Sequence, residues 1–320
     1  MKAIVYHDYG APDVLKCEEV EKPTAGNDQV LINVRAASIN PIDRLFRGTP
    51  FLIRTMTGLR KPKDPRLGRD VAGQVEAVGR NVTQFKPSDE VFGTCLGAYA
   101  EYACTFESAL VMKPINISFE QAASVPVAAL TALQGLRDKG GIQPGRKVLI
   151  NGATGGVGTF AVQIAKSFGA DVTGVCRTRN VEMVRAIGAD HVIDYTQEDF
   201  TKGSERYDLI FDLVANHSLL ACGRVLNSGG ICVVAGAKNA WRLLTRAIAA
   251  PILSRFGSQR FVVFIAKLKQ ADLTILGELM AAGKVTPVID KRYRLSEVPE
   301  AIRYLEQGHA RGKVVITVGN

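Results

Sequence analysis

The stretch Lys147-Val148-Leu149-Ile150-Asn151-Gly152-Ala153-Thr154-Gly155-Gly156-Val157-Gly158 constrains this chain more than any other. An aliphatic run ends in a glycine-rich turn and passes straight into a helical pattern over residues 159–168. That layout builds a phosphate site for a dinucleotide. Gly155 admits the backbone to a pyrophosphate, Gly158 lets the helix pack on the strand, and the helix N-terminus offers unpaired N–H groups. Ala153 stands where such a fingerprint usually has its first glycine. Thr154, Gly155, Gly156 and Val157 are therefore the expected phosphate-binding residues. A turn made glycine-rich for packing alone is the bland alternative.

The context decides between them. Residues 171–176, 191–194, 209–213 and 231–235 read as further strands, with helices over 180–187 and 218–226. Short apolar runs alternating with helical periods predict an α/β fold, a Rossmann-type doubly wound parallel sheet with its ligand at the carboxyl ends of the strands. The second strand of such a sheet usually ends in an acid that binds the cofactor ribose. Here that place reads Gly174-Val175-Cys176-Arg177-Thr178-Arg179, without a carboxylate. Thr178 and Arg179, with Arg177 beside them, favour a 2′-phosphate and hence NADPH over NADH. Solvated arginines at the mouth of a helix are the competing reading.

The first third has another texture. Residues 29–37, 71–78, 90–92 and 99–104 are strand candidates divided by Gly, Pro, Asn and Asp, which predicts a separate, mostly β domain. A helix over 127–137 leads into the nucleotide fold. A helix over 271–282, a strand over 285–289, a helix over 296–306 and a strand over 313–318 follow it. This tail is expected to return to the first domain. The expected division is 1–124 with 269–320 for the substrate domain and 125–268 for the nucleotide domain, with the active site in the cleft between them.

With 320 residues and 47% hydrophobic content, the chain is long enough for two domains. Its formal charge of +9 raises nucleic acid as a partner, but no basic array interleaved with aromatics accompanies it. No specific nucleic-acid partner is expected. Six scattered cysteines without a C-x-x-C pair point to reduced thiols and a cytoplasmic setting. The chain opens directly on a strand-like alternation with no signal peptide evident, and no apolar run reaches the roughly 20 residues of a membrane span.

Several segments together resemble the medium-chain dehydrogenase/reductase superfamily, and within it the zinc-independent quinone oxidoreductase, or ζ-crystallin-like, family. They include Met1-Lys2-Ala3-Ile4, residues 9–15, Ala37-Ser38-Ile39-Asn40-Pro41-Ile42-Asp43 and Leu67-Gly68-Arg69-Asp70-Val71-Ala72-Gly73. Gly97-Ala98-Tyr99-Ala100-Glu101-Tyr102, the cofactor turn and the closing residues 308–315 complete the set. The resemblance implies a GroES-like β domain, NADPH as cofactor, and a quinone or α,β-unsaturated carbonyl (an enone or alkenal) as substrate. Zinc alcohol dehydrogenases of the superfamily carry Cys where this chain has Asn40, and Gly-His-Glu where it has Gly68-Arg69-Asp70. Their third ligand would align near Val127. Such residues cannot supply a tetrahedral zinc set, and Cys95 and Cys104 cannot supply a four-cysteine structural lobe. His7, His191, His217 and His309 do not cluster in sequence. No metal is expected.

Hydride transfer without a metal needs positioning, a dry cleft and a donor for the developing oxygen. By resemblance, Asn40 lies beside the nicotinamide, as that donor or as a ribose contact. The alternative makes Asn40-Pro41 only the start of a helix through Arg47, with Asn40 as its N-cap. Asp43 is expected to orient an arginine, and Arg44 and Arg47 to be solvated or ion-paired. Relatives often place a tyrosine shortly after this point, where the chain has Phe46 and Phe51, which leaves water as a proton source. The resemblance further implies cofactor contacts for Thr131, Tyr195, Leu213, Val214, Ala235-Gly236-Ala237 and Phe264. Core residues at strand ends are the bland reading of Leu213, Val214 and Phe264.

Residues 241–256 are apolar with basic punctuation. A lid or a subunit interface is the first expectation for them, and peripheral membrane contact the second. Strand-like residues 259–265 suit pairing across a homodimer, as in relatives. Two other readings of the chain stand beside the quinone or enone reductase: an enoyl-thioester reductase, and a non-catalytic NADPH-binding protein.

Overall fold

Strand-forming residues dominate both ends of the chain, and helices enter where the period changes from two to nearly four. The computed structural model describes residues 1–43, 58, 61–236, 240–308 and 310–319. The expectations for Arg44, Phe46, Arg47, Phe51, Ala237 and His309 lie outside the described residues. In chain order the elements are β1 (Lys2–Tyr6), β2 (Leu15–Glu19), β3 (Gln29–Ser38), β4 (Asp70–Val78), β5 (Glu90–Thr94), β6 (Tyr102–Phe106) and β7 (Leu110–Met112). Then come α1 (Phe119–Ala123), α2 (Pro126–Gln134), β8 (Lys147–Asn151), α3 (Gly156–Ser167), β9 (Asp171–Cys176), α4 (Val181–Ala186), β10 (His191–Asp194) and β11 (Tyr207–Asp212). The last are α5 (Leu219–Arg224), β12 (Leu226–Val234), α6 (Ala240–Phe256), β13 (Arg260–Val263), α7 (Gln270–Ala281), β14 (Ile289–Arg294), α8 (Val298–Glu306) and β15 (Lys313–Thr317).

Two units result. The first comprises Met1–Ala128, Leu268–Gly283 and Pro287–Asn320. Its main sheet runs β14-β15-β3-β4-β5-β7, with β6 also paired to β3. The tail joins it through antiparallel pairing of β15 with β3, which sets Val315 opposite Ser38. Its core gathers Ile4, Ile32, Val71, Tyr99, Ile302 and Val314, all almost fully buried.

The second unit comprises Ala129–Lys267 and Lys284–Thr286. Its sheet has the order β10-β9-β8-β11-β12-β13, and every neighbouring pair is parallel. Helices cover strands of such a sheet, so its strands are continuous apolar runs; Val148, Leu149 and Ile150 have no exposed surface.

Several local expectations shift, among them the strand read over 231–235, which already begins at Leu226. Residues 285–288 form no strand, because the backbone of Thr286 is taken by the Gln163 side chain on α3, at 2.7 and 3.0 Å. The strand begins instead at Ile289. Strand β6 starts three residues late, since the Tyr99 backbone pairs with Ile4 and Leu67. The helix over 127–137 ends as α at Gln134 and widens to a π-turn over Gly135–Lys139. A side chain at Gly135 would lie 2.5 Å from the Phe211 ring and 3.2 Å from that of Phe264, so only glycine permits the close approach.

Candidate active site

The nucleotide turn lies at the carboxyl end of β8, at the centre of the parallel sheet. Gly152 adopts φ +93°, and a Cβ on Gly158 would lie 2.0 Å from the Gly152 carbonyl oxygen. Gly158 is thus demanded by helix-to-turn packing. Gly155 differs: a Cβ there would meet nothing nearer than 3.6 Å, leaving an open cradle. Gly155 is the extended N-cap of α3, no side chain caps the helix, and its first turn holds no acid. The first N–H groups and the positive end of the helix dipole therefore face an opening with Thr154, Gly155, Gly156 and Val157 around it. This fits a pyrophosphate.

At the end of β9, Arg177, Thr178 and Arg179 are exposed, and Tyr195 is exposed after β10. One acid enters this rim that strand-by-strand reading missed: parallel pairing sets Asp194 of β10 against Cys176. A hydrogen bond from Thr178 holds the Asp194 carboxyl below the usual range, and the Thr196 backbone and hydroxyl donate to it at 2.9 and 2.8 Å. The carboxylate is thus occupied by hydroxyls, while the two guanidinium groups stay at the surface.

A buried acid, Asp212, shapes the next strand end. Asp212 Oδ1 accepts from Asn151 Nδ2 at 2.8 Å, Val214 N at 3.1 Å and Ala215 N at 2.8 Å. These bonds hold the turn through Leu213 and Val214, in which Ala215 takes φ +55°. Arg246 of α6 lies 3.6 Å from Asp212 and donates to the Ala215 and His217 carbonyls. Gly236 packs on the Leu213 carbonyl, 2.4 Å from where its Cβ would be. Phe264 follows β13 and donates its N–H to Val234 O at 3.2 Å. Thr131 is half-buried on α2.

The first unit holds a cluster of a different kind. Asp70, fully buried, accepts from Ser38 Oγ at 2.7 Å, Asn40 Nδ2 at 2.9 Å and Lys313 Nζ at 3.3 Å on one oxygen. Its other oxygen accepts from the Val127 backbone N–H at 3.0 Å. Lys313 also donates to Asn40 Oδ1 at 2.9 Å, and its side chain is only 4% exposed. The Asn40 amide is thus occupied at both ends, its second N–H pointing to Ser38 O at 3.4 Å. It has no spare donor for a reacting oxygen. Among the described residues its side chain caps no helical N–H; the Asp43 side chain instead accepts from Asn40 N at 2.8 Å.

Asp43 is buried beside this cluster, while the arginines that follow it lie outside the described residues. Among the described residues its hydrogen-bond donors are the Tyr99 hydroxyl, at 2.6 Å, and the Asn40 N–H. Burial lifts its pKa to about 6, and burial beside this carboxyl raises Tyr99 well above its ordinary value. Residue reading missed Asp70, Tyr99 and Lys313 as a unit. The available signal was a lysine opening the otherwise apolar strand Lys313-Val314-Val315-Ile316.

The zinc question can now be answered from donors. The three ligand positions reduce to an amide, an arginine and a backbone N–H, and an ammonium sits between Asn40 and Asp70. That set does not fit zinc. Among the described residues no group of three or more His, Cys, Asp or Glu is placed to hold a metal.

A six-stranded parallel sheet with an open, uncapped phosphate turn, joined to a β unit with a buried polar cluster, defines a dinucleotide-dependent dehydrogenase/reductase. Known proteins sharpen this. Residues 26–115 match the family described as alcohol dehydrogenase GroES-like domain, and residues 187–316 the one described as zinc-binding dehydrogenase. A 2-methylene-furan-3-one reductase of Solanum lycopersicum is 38% identical, covering 99% of this chain and 79% of the relative. An NADPH-dependent alkenal/one oxidoreductase of Arabidopsis thaliana is 37% identical over the same shares. The solved quinone oxidoreductase of Coxiella burnetii superposes with a TM-score of 0.89 at 32% identity, covering 100% of this chain and 99% of that one. The chain belongs to the zinc-independent quinone oxidoreductase family of the medium-chain dehydrogenase/reductase superfamily.

Proposed function

We propose that the chain is an NADPH-dependent reductase of quinones and α,β-unsaturated carbonyls. The observation that carries this reading is the Lys313 ammonium held by Asn40 and Asp70 where zinc relatives place their ligands. With that donor set the chain cannot stabilise an alkoxide as zinc does, so oxidation of plain alcohols is disfavoured. Quinones and enones accept hydride at an atom that is already electrophilic, and their charge spreads onto an oxygen. Bound NADPH supplies the hydride.

The chain's own residues then bind and position. Thr154, Gly155, Gly156 and Val157 hold the pyrophosphate, and Thr178, Arg179 and Tyr195 border the 2′-phosphate with Arg177. Leu213, Val214, Gly236, Phe264 and Thr131 line the rest of the cofactor's path. Service by Asn40 to the reacting oxygen requires its amide to leave Asp70 or Ser38; in the arrangement seen it positions residues 38–43, and water serves as proton source. The proposed setting is cytoplasmic, in keeping with six free thiols. The proposed assembly is a homodimer paired along the open edge of β13. No helix of the described residues is long and apolar enough to cross a membrane.

Purified protein mixed with NADPH should reduce small quinones, short enones or alkenals and oxidise ethanol negligibly. Rapid ethanol oxidation without quinone or enone turnover would sink the proposal. A protein that binds NADPH and turns over nothing would be the non-catalytic form of the fold.

A further inference from the structure

Helix α6 is apolar on two opposite sides. Its inward residues Leu243, Ala249, Ala250 and Leu253 pack on the core of the second unit near Phe261, and Ser254 Oγ ties the helix to Phe261 N at 2.8 Å. On the opposite side Trp241, Leu244, Ile248, Ile252 and Phe256 follow one another at three- and four-residue steps, which aligns them on one face. All five are exposed, Trp241 by 71% and Phe256 by 84%. The solvent side of the helix therefore carries an apolar stripe where polar residues normally stand.

Its electrostatic surroundings are equally unusual. Lysine and arginine are spread along the chain, but acids are not. From Leu213 to Ala271 there are eight Lys or Arg and no Asp or Glu, leaving 32 basic against 31 acidic residues elsewhere. Nearly the whole net charge of +9 thus resides in this stretch. Arg246 is drawn inward to Asp212, whereas Arg242, Arg255, Arg260 and Lys267 are exposed. At the exposed face of α6, as distinct from the β13 edge, a second copy of this chain offers no counter-charge from the same stretch, because basic surface would meet basic surface. A bilayer with anionic headgroups offers both a counter-charge and an apolar layer.

We infer that α6 docks the protein peripherally on an anionic lipid surface, the stripe entering the headgroup boundary and the flanking arginines and lysine meeting lipid phosphates. The inference rests on the face itself and does not depend on the reductase reading. A surface-lying helix needs no spanning length; α6 is held by its tertiary contacts.

Trp241 is the only tryptophan of the chain, so its fluorescence reports docking directly. Titration with phosphatidylserine-containing phosphatidylcholine vesicles should shift its emission to the blue and carry the protein into the vesicle pellet. Each basic residue that reaches the surface contributes about fivefold to partitioning at low salt, so pure phosphatidylcholine vesicles should bind more than about tenfold more weakly. High salt should release the protein. The I248Q/I252Q variant should lose vesicle binding while keeping its NADPH affinity and thermal midpoint, since neither side chain is buried. No blue shift with anionic vesicles, or equal binding to both vesicle types, overturns the inference. So does a blue shift that grows with protein concentration in the absence of lipid and vanishes in I248Q/I252Q, which assigns the stripe to a second copy.

Discussion

Replacing Lys313 with methionine should destabilise the first unit by about 4 kcal/mol, and the figure can be built from its contacts. Lys313 and Asp70 are an ion pair at 3.3 Å with side chains 4% and 0% exposed. Removing one partner of a buried pair costs about 3–5 kcal/mol, because the other charge is left uncompensated. Asp70 keeps Ser38 Oγ, Asn40 Nδ2 and Val127 N as donors, which holds that part of the loss near the low end, about 3 kcal/mol. Asn40 Oδ1 simultaneously loses the donor at 2.9 Å, and an unsatisfied buried acceptor adds about 1 kcal/mol or more. Methionine fills much of the space of the lysine stem, so the packing loss is small. Urea unfolding followed by circular dichroism measures the change. The companion variant D70N/K313M removes both charges and should recover about half of the loss, since no unpaired ion remains. A wild-type-like midpoint for K313M would refute the reasoning, and so would a double variant whose loss equals the sum of the singles.

Asp43 should give the protein a pH-dependent stability of the less common sign. Its folded pKa of about 6 exceeds the ordinary 3.8, so its contribution is full below about pH 4 and is lost as the pH rises through 6, about 3 kcal/mol in all. The difference in unfolding free energy between wild type and D43N, plotted against pH, should show that slope; a flat difference counts against the buried carboxyl. Gly155→Ala should fold normally and lose NADPH, because its Cβ enters an open cradle, whereas Gly158→Ala should be destabilised outright by its clash with Gly152 O; thermal midpoints with and without NADPH separate the two. Arg179→Ala should weaken NADPH about tenfold more than NADH, as the loss of one charge-assisted bond of about 1.5–3 kcal/mol predicts, and equal losses in cofactor titrations would remove its role at the 2′-phosphate. Elemental analysis should find no stoichiometric zinc, and one tightly held zinc per chain would reverse the reading of the Asn40 and Lys313 cluster.

The nucleotide unit was legible because its signals are local. Aliphatic runs of five or six residues, glycines at fixed steps and a following helical period arise within short windows, where backbone geometry alone dictates side-chain spacing. Asp171–Cys176 and His191–Asp194 are strands at the residues read from the chain. Where a local reading slipped, at residues 285–288 and at Tyr99, a partner far away in sequence had claimed the backbone.

What periodicity could not supply was the chemistry of convergence. Lys313 meets Asn40 across 273 residues and Asp70 across 243, because β15 pairs antiparallel to β3 and β3 to β4. Asp194 joins the arginine rim only through the parallel pairing of β10 with β9. The apolar content of residues 241–256 was visible in the sequence, yet which side of α6 turns inward depended on Arg246 reaching Asp212 and on Ser254 bonding Phe261. The nucleotide fold, the glycine-rich turn after β8 and the unsuitability of Asn40, Arg69 and Val127 as zinc ligands follow from residue type at a position. Packing set the partners of Asn40, the burial of Asp43 against Tyr99 and the outward face of α6, because burial and strand order exist only once distant segments have packed.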